Sequence, residues 1–510
     1  MRSIAFAAAV VALTRSAIAM DCAQLSSLRL PEAKITGAAP VAAGAFDGPA
    51  SAFGVPPGVV AATFKAMPAF CRVRATLAPS PDSDIRIEVW LPAENWNGKF
   101  VGIGNGVWAG SIDLFGMAKP LSRGYAVAAT DTGHAGNGLD ARFAVGHPEK
   151  LTDFGYRAVH EMTVKAKALI AAFYGNGPRL SLWTSCSTGG RQGLMEAFRY
   201  PEDYNGISAG APANPMTGLM IQTIWTGAAA LKDADSAVPP AKLAVAHKAY
   251  IKMCDARDGV TDGLVSDPER CSFDPAVVQC KGADGPDCLT AGQVATLRAV
   301  YGGVKNARTG ERIFSGFEPG SEMQLGLLMQ GPEPFSVATS YMRDIVFKDP
   351  NWNFRTFNYD TDTAKAHDTG SALLDVPSDG LGRYFADGGK LLLYHGWNDG
   401  LIPAGNTVDF YKDMTGKLDA ATADSAVRLF MVPGMTHCAG GDGPWMFDAL
   451  STIDSWADKQ SAPDRIVAVM PPGAPAMSRP LCRYPQVAKY SGQGSTDDAA
   501  SFECVAPAAH

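Results

Sequence analysis

After its first residues this chain of 510 has no apolar run long enough to cross a bilayer, which takes about 20 residues. It has no basic run either. Its 44 Lys and Arg against 51 Asp and Glu leave a net charge of −7, which argues against a nucleic-acid partner. No tract is of low complexity, and 46% hydrophobic with 19% charged residues is a globular composition. No Cys-x-x-Cys pair and no His-x-x-x-His spacing occurs, so zinc is not the reading of the cysteines. What remains is a soluble chain long enough for a large domain plus a second one.

The N-terminus has the parts of a signal peptide. Arg2 supplies the positive end, Ile4 to Leu13 the apolar stretch, and Ala17-Ile18-Ala19 a small-residue cleavage site, so residues 1–19 are expected to be removed. The mature protein is then exported, to the periplasm or the medium, with no membrane span. All ten cysteines follow that point, and an even number in an exported chain favours disulfides. Neighbouring positions point to Cys254–Cys271, Cys280–Cys288 and Cys482–Cys504.

Segments 70–77 and 84–91 alternate as half-buried strands, with Pro81-Asp82 between them. Segments 99–103 and 125–130 are apolar throughout, as in buried parallel sheets. A helix is expected over 158–173, then strand 180–183, a serine turn, a helix over 191–199 and a short strand 206–210. The rhythm stops from 211 to 388 and resumes with strands 390–395 and 427–432. This organisation predicts an α/β-hydrolase core sheet flanked by helices, formed by 20–210 and 389–510, with a large inserted lid domain at 211–388.

Ser187 lies in Ser185-Cys186-Ser187-Thr188-Gly189-Gly190, between a strand and a helix, as a nucleophile elbow does. A serine hydroxyl is a weak nucleophile and needs a base, and the base an orienting acid. Asp399 and His437 follow in that order, each just past a late strand. Any one of the three alone reads as an ordinary loop residue; the three in order read as a triad. His395, at a strand end before Asp399, competes as base and is placed behind the site. The oxyanion donors expected are the N–H groups of Thr188 and Gly106, with Gly104 or Val107 as alternatives to the latter. The Gly102–Val107 loop lacks the third glycine and the later acid of a dinucleotide site. If Cys186 bonds Cys438, the serine and histidine loops are stapled together.

The lid carries Asp255, Asp258 and Asp262 at short intervals among glycines. With the carbonyls of Val260 and Leu264 they could wrap a hard cation. Such a loop is a solvated turn about as often; a Cys254–Cys271 bond beside it favours calcium.

These residues resemble the tannase and feruloyl esterase family, which also includes the mono(2-hydroxyethyl) terephthalate hydrolase. The likeness covers nearly the whole mature chain. It runs through Asp131-Thr132-Gly133-His134, Cys186 to Gln192, Cys254-Asp255 to Asp262-Gly263, Phe317 to Glu322, Asp399 and His437-Cys438. The resemblance implies a serine esterase with triad Ser187, Asp399 and His437. It also implies a structural Ca2+ on the 255–264 loop and the pairings Cys22–Cys71, Cys186–Cys438, Cys254–Cys271, Cys280–Cys288 and Cys482–Cys504. Ser185 departs from it, since the family usually has glycine there, and a slightly tighter turn is expected.

The substrate expected is a small aromatic ester, which can be attached to plant polysaccharide. Ferulate-type (hydroxycinnamic) esters come first, galloyl esters second and terephthalate monoesters third. Met323, Met329, Phe335, Tyr341 and Met342 are candidates to touch the ring, each read more readily as lid core. The expected assembly is a monomer or homodimer. A non-catalytic, calcium-stabilised binding protein is the reading from another class.

Overall fold

The structure, a computed structural model, describes residues 19–50, 52 and 55–507. The signal segment expected at 1–19 lies outside the described residues except for Ala19. The core is a nine-stranded sheet of β1 (Ala33–Val41), β2 (Phe70–Leu77), β3 (Ile85–Pro92), β4 (Lys99–Ile103), β5 (Ala126–Thr130), β6 (Leu180–Cys186), β7 (Gly206–Gly210), β8 (Lys390–Gly396) and β9 (Val427–Val432). Their spatial order is β1-β2-β3-β5-β4-β6-β7-β8-β9. The two alternating segments are β2 and β3, antiparallel with Phe70 opposite Pro92 and Leu77 opposite Ile85. From β5 through β4 to β9 every pairing is parallel.

The parallel strands are apolar on both faces because each face has its own core. Phe100, Ala126, Ala128, Leu391 and Leu393 face helix Ala158–Tyr174 and its neighbours. Val101, Val127, Ala129, Leu392 and Phe430 face helices Leu114–Ser122 and Ala449–Lys459. Successive strand residues point to opposite faces, so a doubly covered strand must be hydrophobic throughout.

Between β7 and β8 the chain forms helices, among them Met216–Ala230, Pro240–Cys254, Glu322–Met329 and Thr361–Leu374. Their apolar sides make two further cores, one shared with Trp108 and Phe154 of the sheet portion. Met329, Tyr341 and Met342 are buried in these cores and Phe335 is half-buried, whereas Met323 is 59% exposed. The insertion core therefore claims most of the candidates for ring contact. The chain closes with two small hairpins, Arg465–Val469 with Ser478–Cys482 and Val487–Tyr490 with Phe502–Val505.

All ten cysteines are paired: Cys22–Cys71, Cys186–Cys438, Cys254–Cys271, Cys280–Cys288 and Cys482–Cys504. Among the described residues no helix is long and apolar enough to cross a membrane.

Candidate active site

Ser187 sits where β6 ends and helix Thr188–Arg199 begins, with φ +64° and ψ −128°. This is a strained conformation for a residue with a Cβ, and it persists because its surroundings fix it. The Ser187 N–H donates to the Gly210 carbonyl (2.9 Å), and the Ser187 carbonyl accepts from Arg191 and Ala213. The turn closes only because two glycines follow. A Cβ on Gly190 would overlap the Gly210 carbonyl, and one on Gly189 would overlap the Ser185 hydroxyl. Ser185 is tolerated because Gly189 leaves it room.

Asp399 lies just past β8 and is buried. Its Oδ1 accepts the N–H groups of Leu401 and Ile402, both at 2.8 Å. Its Oδ2 is 2.7 Å from His437 Nδ1 and 3.0 Å from His395 Nε2. Burial alone raises this carboxyl, but the charge of His437 and hydrogen bonds from both histidines outweigh it and hold the group below the usual carboxylate range. Two histidines thus share one carboxylate. His395 is fully buried, its Nε2 also faces the Ile402 carbonyl (3.1 Å), and its Nδ1 meets Thr407 Oγ1 (2.8 Å). Both neighbours of Nε2 are acceptors, so Nε2 carries a proton and turns it toward them. His437 has no such enclosure, and among the described residues its Nε2 has no hydrogen-bond partner.

Among the described residues no hydrogen bond joins Ser187 Oγ to His437. Their neighbours are joined covalently instead, Cys186 to Cys438, with Cα atoms 5.9 Å apart across a sequence separation of 252. In ligand-free sites such a bond often tightens only when substrate arrives.

The glycine loop after β4 is clasped to the elbow helix. Gln192 Oε1 accepts the Asn105 N–H and its Nε2 donates to Asn105 Oδ1, both at 3.0 Å. Thr188 Oγ1 donates to the Val107 carbonyl at 2.6 Å. A Cβ on Gly104 would lie 2.6 Å from Gly189 Cα and 2.7 Å from Trp183, so only glycine lets the loop come this close. Among the described residues the N–H groups of Thr188, Gly106 and Val107 donate to no protein acceptor. They remain available for an oxyanion.

The model of the tannase and feruloyl esterase family matches residues 71–505. The chain belongs to that family. An uncharacterized esterase of Xanthomonas campestris is 36% identical over 97% of this chain and 92% of its own. A probable feruloyl esterase B-2 of Aspergillus terreus is 33% identical over 85% of this chain and 86% of its own. Among solved structures, feruloyl esterase B from Aspergillus oryzae superposes with a TM-score of 0.87 at 29% identity, covering 95% of this chain and 99% of that one. Tannin acyl hydrolase from Aspergillus niger shares the fold at a TM-score of 0.77, 20% identity and coverage of 95% and 94%. The fold is α/β-hydrolase-like, and the chain is a carboxylic ester hydrolase.

In this esterase the insertion reaches into the site through Gln324, which sequence reasoning missed. Gln324 Oε1 accepts the N–H of His437 (3.0 Å) and that of Gly400 (3.1 Å). Gln324 is held in the first turn of helix Glu322–Met329, which is anchored by Glu322. That fully buried carboxylate accepts the Gly320 N–H at 2.9 Å, the Tyr301 hydroxyl, and His247 Nδ1–H at 3.0 Å. His247 Nε2 reaches Asp442 (3.1 Å) on the loop that follows His437. Burial pushes the His247 ring down, but its hydrogen bonds to Asp442 and Glu322 and their charges raise it to about 9. The Phe317–Glu322 motif therefore seats the insertion against the histidine loop.

The acidic loop of the insertion is ordered around its carboxylates. Asp255 accepts the N–H groups of Asp262 and Gly263, Asp258 that of Val260 and the Ser266 hydroxyl, and Asp262 that of Leu264 together with the Arg479 guanidinium. Among the described residues the carbonyls of Val260 and Leu264 accept nothing, although both residues are buried. Among them, two other clusters bring three metal-type ligand atoms within 4.8 Å of one another, and the 255–264 carboxylates are spread wider than that. A calcium shell at 2.3–2.6 Å from the ion accommodates oxygens up to about 5 Å apart. The donors are all oxygen and the carbonyls of Val260 and Leu264 are unused, which suits that ion, with Asp262 also paired to Arg479.

Proposed function

We propose that the chain is a serine esterase that hydrolyses esters of hydroxycinnamic acids through an acyl-enzyme on Ser187. The observation that carries this reading is Asp399 bonded to His437 Nδ1, on a loop cross-linked to the strained serine turn. As Ser187 Oγ attacks the ester carbonyl, its proton passes to His437 Nε2. Asp399 steadies the imidazolium that forms. The carbonyl oxygen, now negative, accepts the N–H groups of Thr188 and Gly106. Collapse expels the alcohol, which takes the proton back from His437. Water then attacks the acyl carbonyl, gives its proton to His437, and the acid leaves as Ser187 regains its own.

Ferulate-type esters are favoured because the Aspergillus relative and the solved structure of highest similarity given above are both named feruloyl esterases. Galloyl esters and terephthalate monoesters rank behind. Loop 255–264 would hold a structural calcium through Asp255, Asp258, Asp262 and the carbonyls of Val260 and Leu264. Five disulfides and the Arg2–Ala19 segment support export. The test is hydrolysis of methyl ferulate, methyl gallate and the terephthalate monoester by wild type and Ser187→Ala. Methyl ferulate should be the best of the three, and the variant should lose activity on all; undiminished hydrolysis by Ser187→Ala would sink the assignment.

A further inference from the structure

Away from the ester site, His160, Glu196 and Asp203 bring one ring nitrogen and two carboxylate oxygens within 4.8 Å of one another. They come from helix Ala158–Tyr174, helix Thr188–Arg199 and the turn that precedes β7. Glu196 is the anomaly. It is 1% exposed, and neither of its carboxylate oxygens meets a donor among the described residues; the side chain in reach is the Asp203 carboxylate, itself an acceptor. A buried carboxylate needs neutralising, by a proton, a cationic side chain or a metal.

The cationic side chain is engaged elsewhere. Lys167 Nζ donates to the Asp203 carbonyl at 2.6 Å and lies 3.4 Å from Asp203 Oδ1, and no hydrogen bond joins it to Glu196. His160 Nδ1 is 2.6 Å from Asp203 Oδ2, and its ring stacks on Tyr200 with centroids 3.7 Å apart. The stack fixes the ring plane, and the partly exposed imidazole gives an ion a way in from solvent. The second cluster of this kind, Cys280–Asp284–Cys288, has both sulfurs in a disulfide and offers no thiolate.

We propose that His160, Glu196 and Asp203 form a binding site for one divalent transition-metal ion of the zinc class. An imidazole with two carboxylates is a mixed nitrogen and oxygen set, suited to zinc rather than to calcium. In a zinc shell the ligand atoms stand roughly 3–4 Å apart, so the 2.6 Å contact of His160 with Asp203 opens slightly as the ion enters, and water takes the fourth position. Metal and protons compete for the same imidazole and carboxylate atoms, so binding strengthens as pH rises. The ion would join three elements around the helix that begins at the Ser187 turn, as a brace and not as part of the ester chemistry. Burial, and the charge and hydrogen bond of the adjacent Asp203, push the Glu196 acid upward.

The test is zinc chloride titrated into the full-length mature protein with excess calcium present, read by calorimetry and by bound metal per chain. Wild type should take up one zinc with proton release and melt at a higher temperature. Glu196→Gln and His160→Gln should lose both responses, with ester hydrolysis by His160→Gln unchanged. No zinc uptake by wild type, or uptake that survives both substitutions, would overturn the site and leave a carboxyl pair that shares a proton. Should Glu196→Gln fail to fold, His160→Gln decides alone, since its side chain is partly exposed and its loss opens no core.

Discussion

Gln324 of the insertion holds His437 of the sheet portion by its main chain, through a 3.0 Å hydrogen bond to the His437 N–H. The same oxygen holds Gly400, next to Asp399. One side chain from the inserted segment therefore sets the spacing of the two loops that carry the acid and the histidine.

Gln324→Ala should lower kcat about ten-fold, the worth of roughly 1.4 kcal/mol of positioning, with melting within a few degrees of wild type. Gln324→Glu keeps an acceptor and should recover most of the rate. Equal melting losses in both variants, with no recovery of kcat in Gln324→Glu, would make Gln324 merely structural.

Gly189→Ala should cost activity and about 1–3 kcal/mol of stability, because its methyl would overlap the Ser185 hydroxyl. Ser185→Gly in the same chain removes the obstacle and should restore most of both. The two changes should thus be strongly non-additive in denaturant melts. Additive losses would place the strain elsewhere.

His247 gives stability a pH dependence of known sign. Its folded pKa is raised from 6.5 to about 9, so its contribution is complete below pH 6.5 and is lost as pH rises through 9. His247→Gln should therefore cost about 1–2 kcal/mol near pH 6, a value reduced because Asp442 is half exposed to solvent. The gap from wild type should shrink toward pH 10, and a gap independent of pH would remove His247 from this role.

Chelation should lower the melting temperature, and excess calcium should restore it. A site saturated at 100 times its Kd adds about 2.7 kcal/mol. Asp258→Asn should melt early and respond to neither treatment. An unshifted melt of wild type on chelation would discard the ion.

Much of this was legible in the residues, and the parts that were not share a cause. The strands at 70–77 and 84–91 announce themselves by alternation, the central strands by unbroken apolar runs, and the elbow by its small residues. Asp399 and His437 could be placed because each follows such a strand. Strand β1 escaped because Ala33–Val41 carries Gly37 and Pro40 at a sheet edge, where no alternating core pattern is imposed. Gln324, His247 and Glu196 were invisible for a different reason. Each acts through partners far along the chain, and no local spacing encodes which backbone a glutamine will reach. Met329, Tyr341 and Met342, candidates for an aromatic ring that read more readily as core, pack inside the insertion.

The bond between Cys186 and Cys438 also gives the enzyme a birth order. Its two ends are separated by 252 positions, so it cannot close until the whole insertion between them has been synthesised. It also needs an oxidant, which reducing cytosol does not offer. The covalent link between the serine and histidine loops therefore comes after the insertion is made. Where that happens is decided by the redox state of the surroundings as much as by the fold.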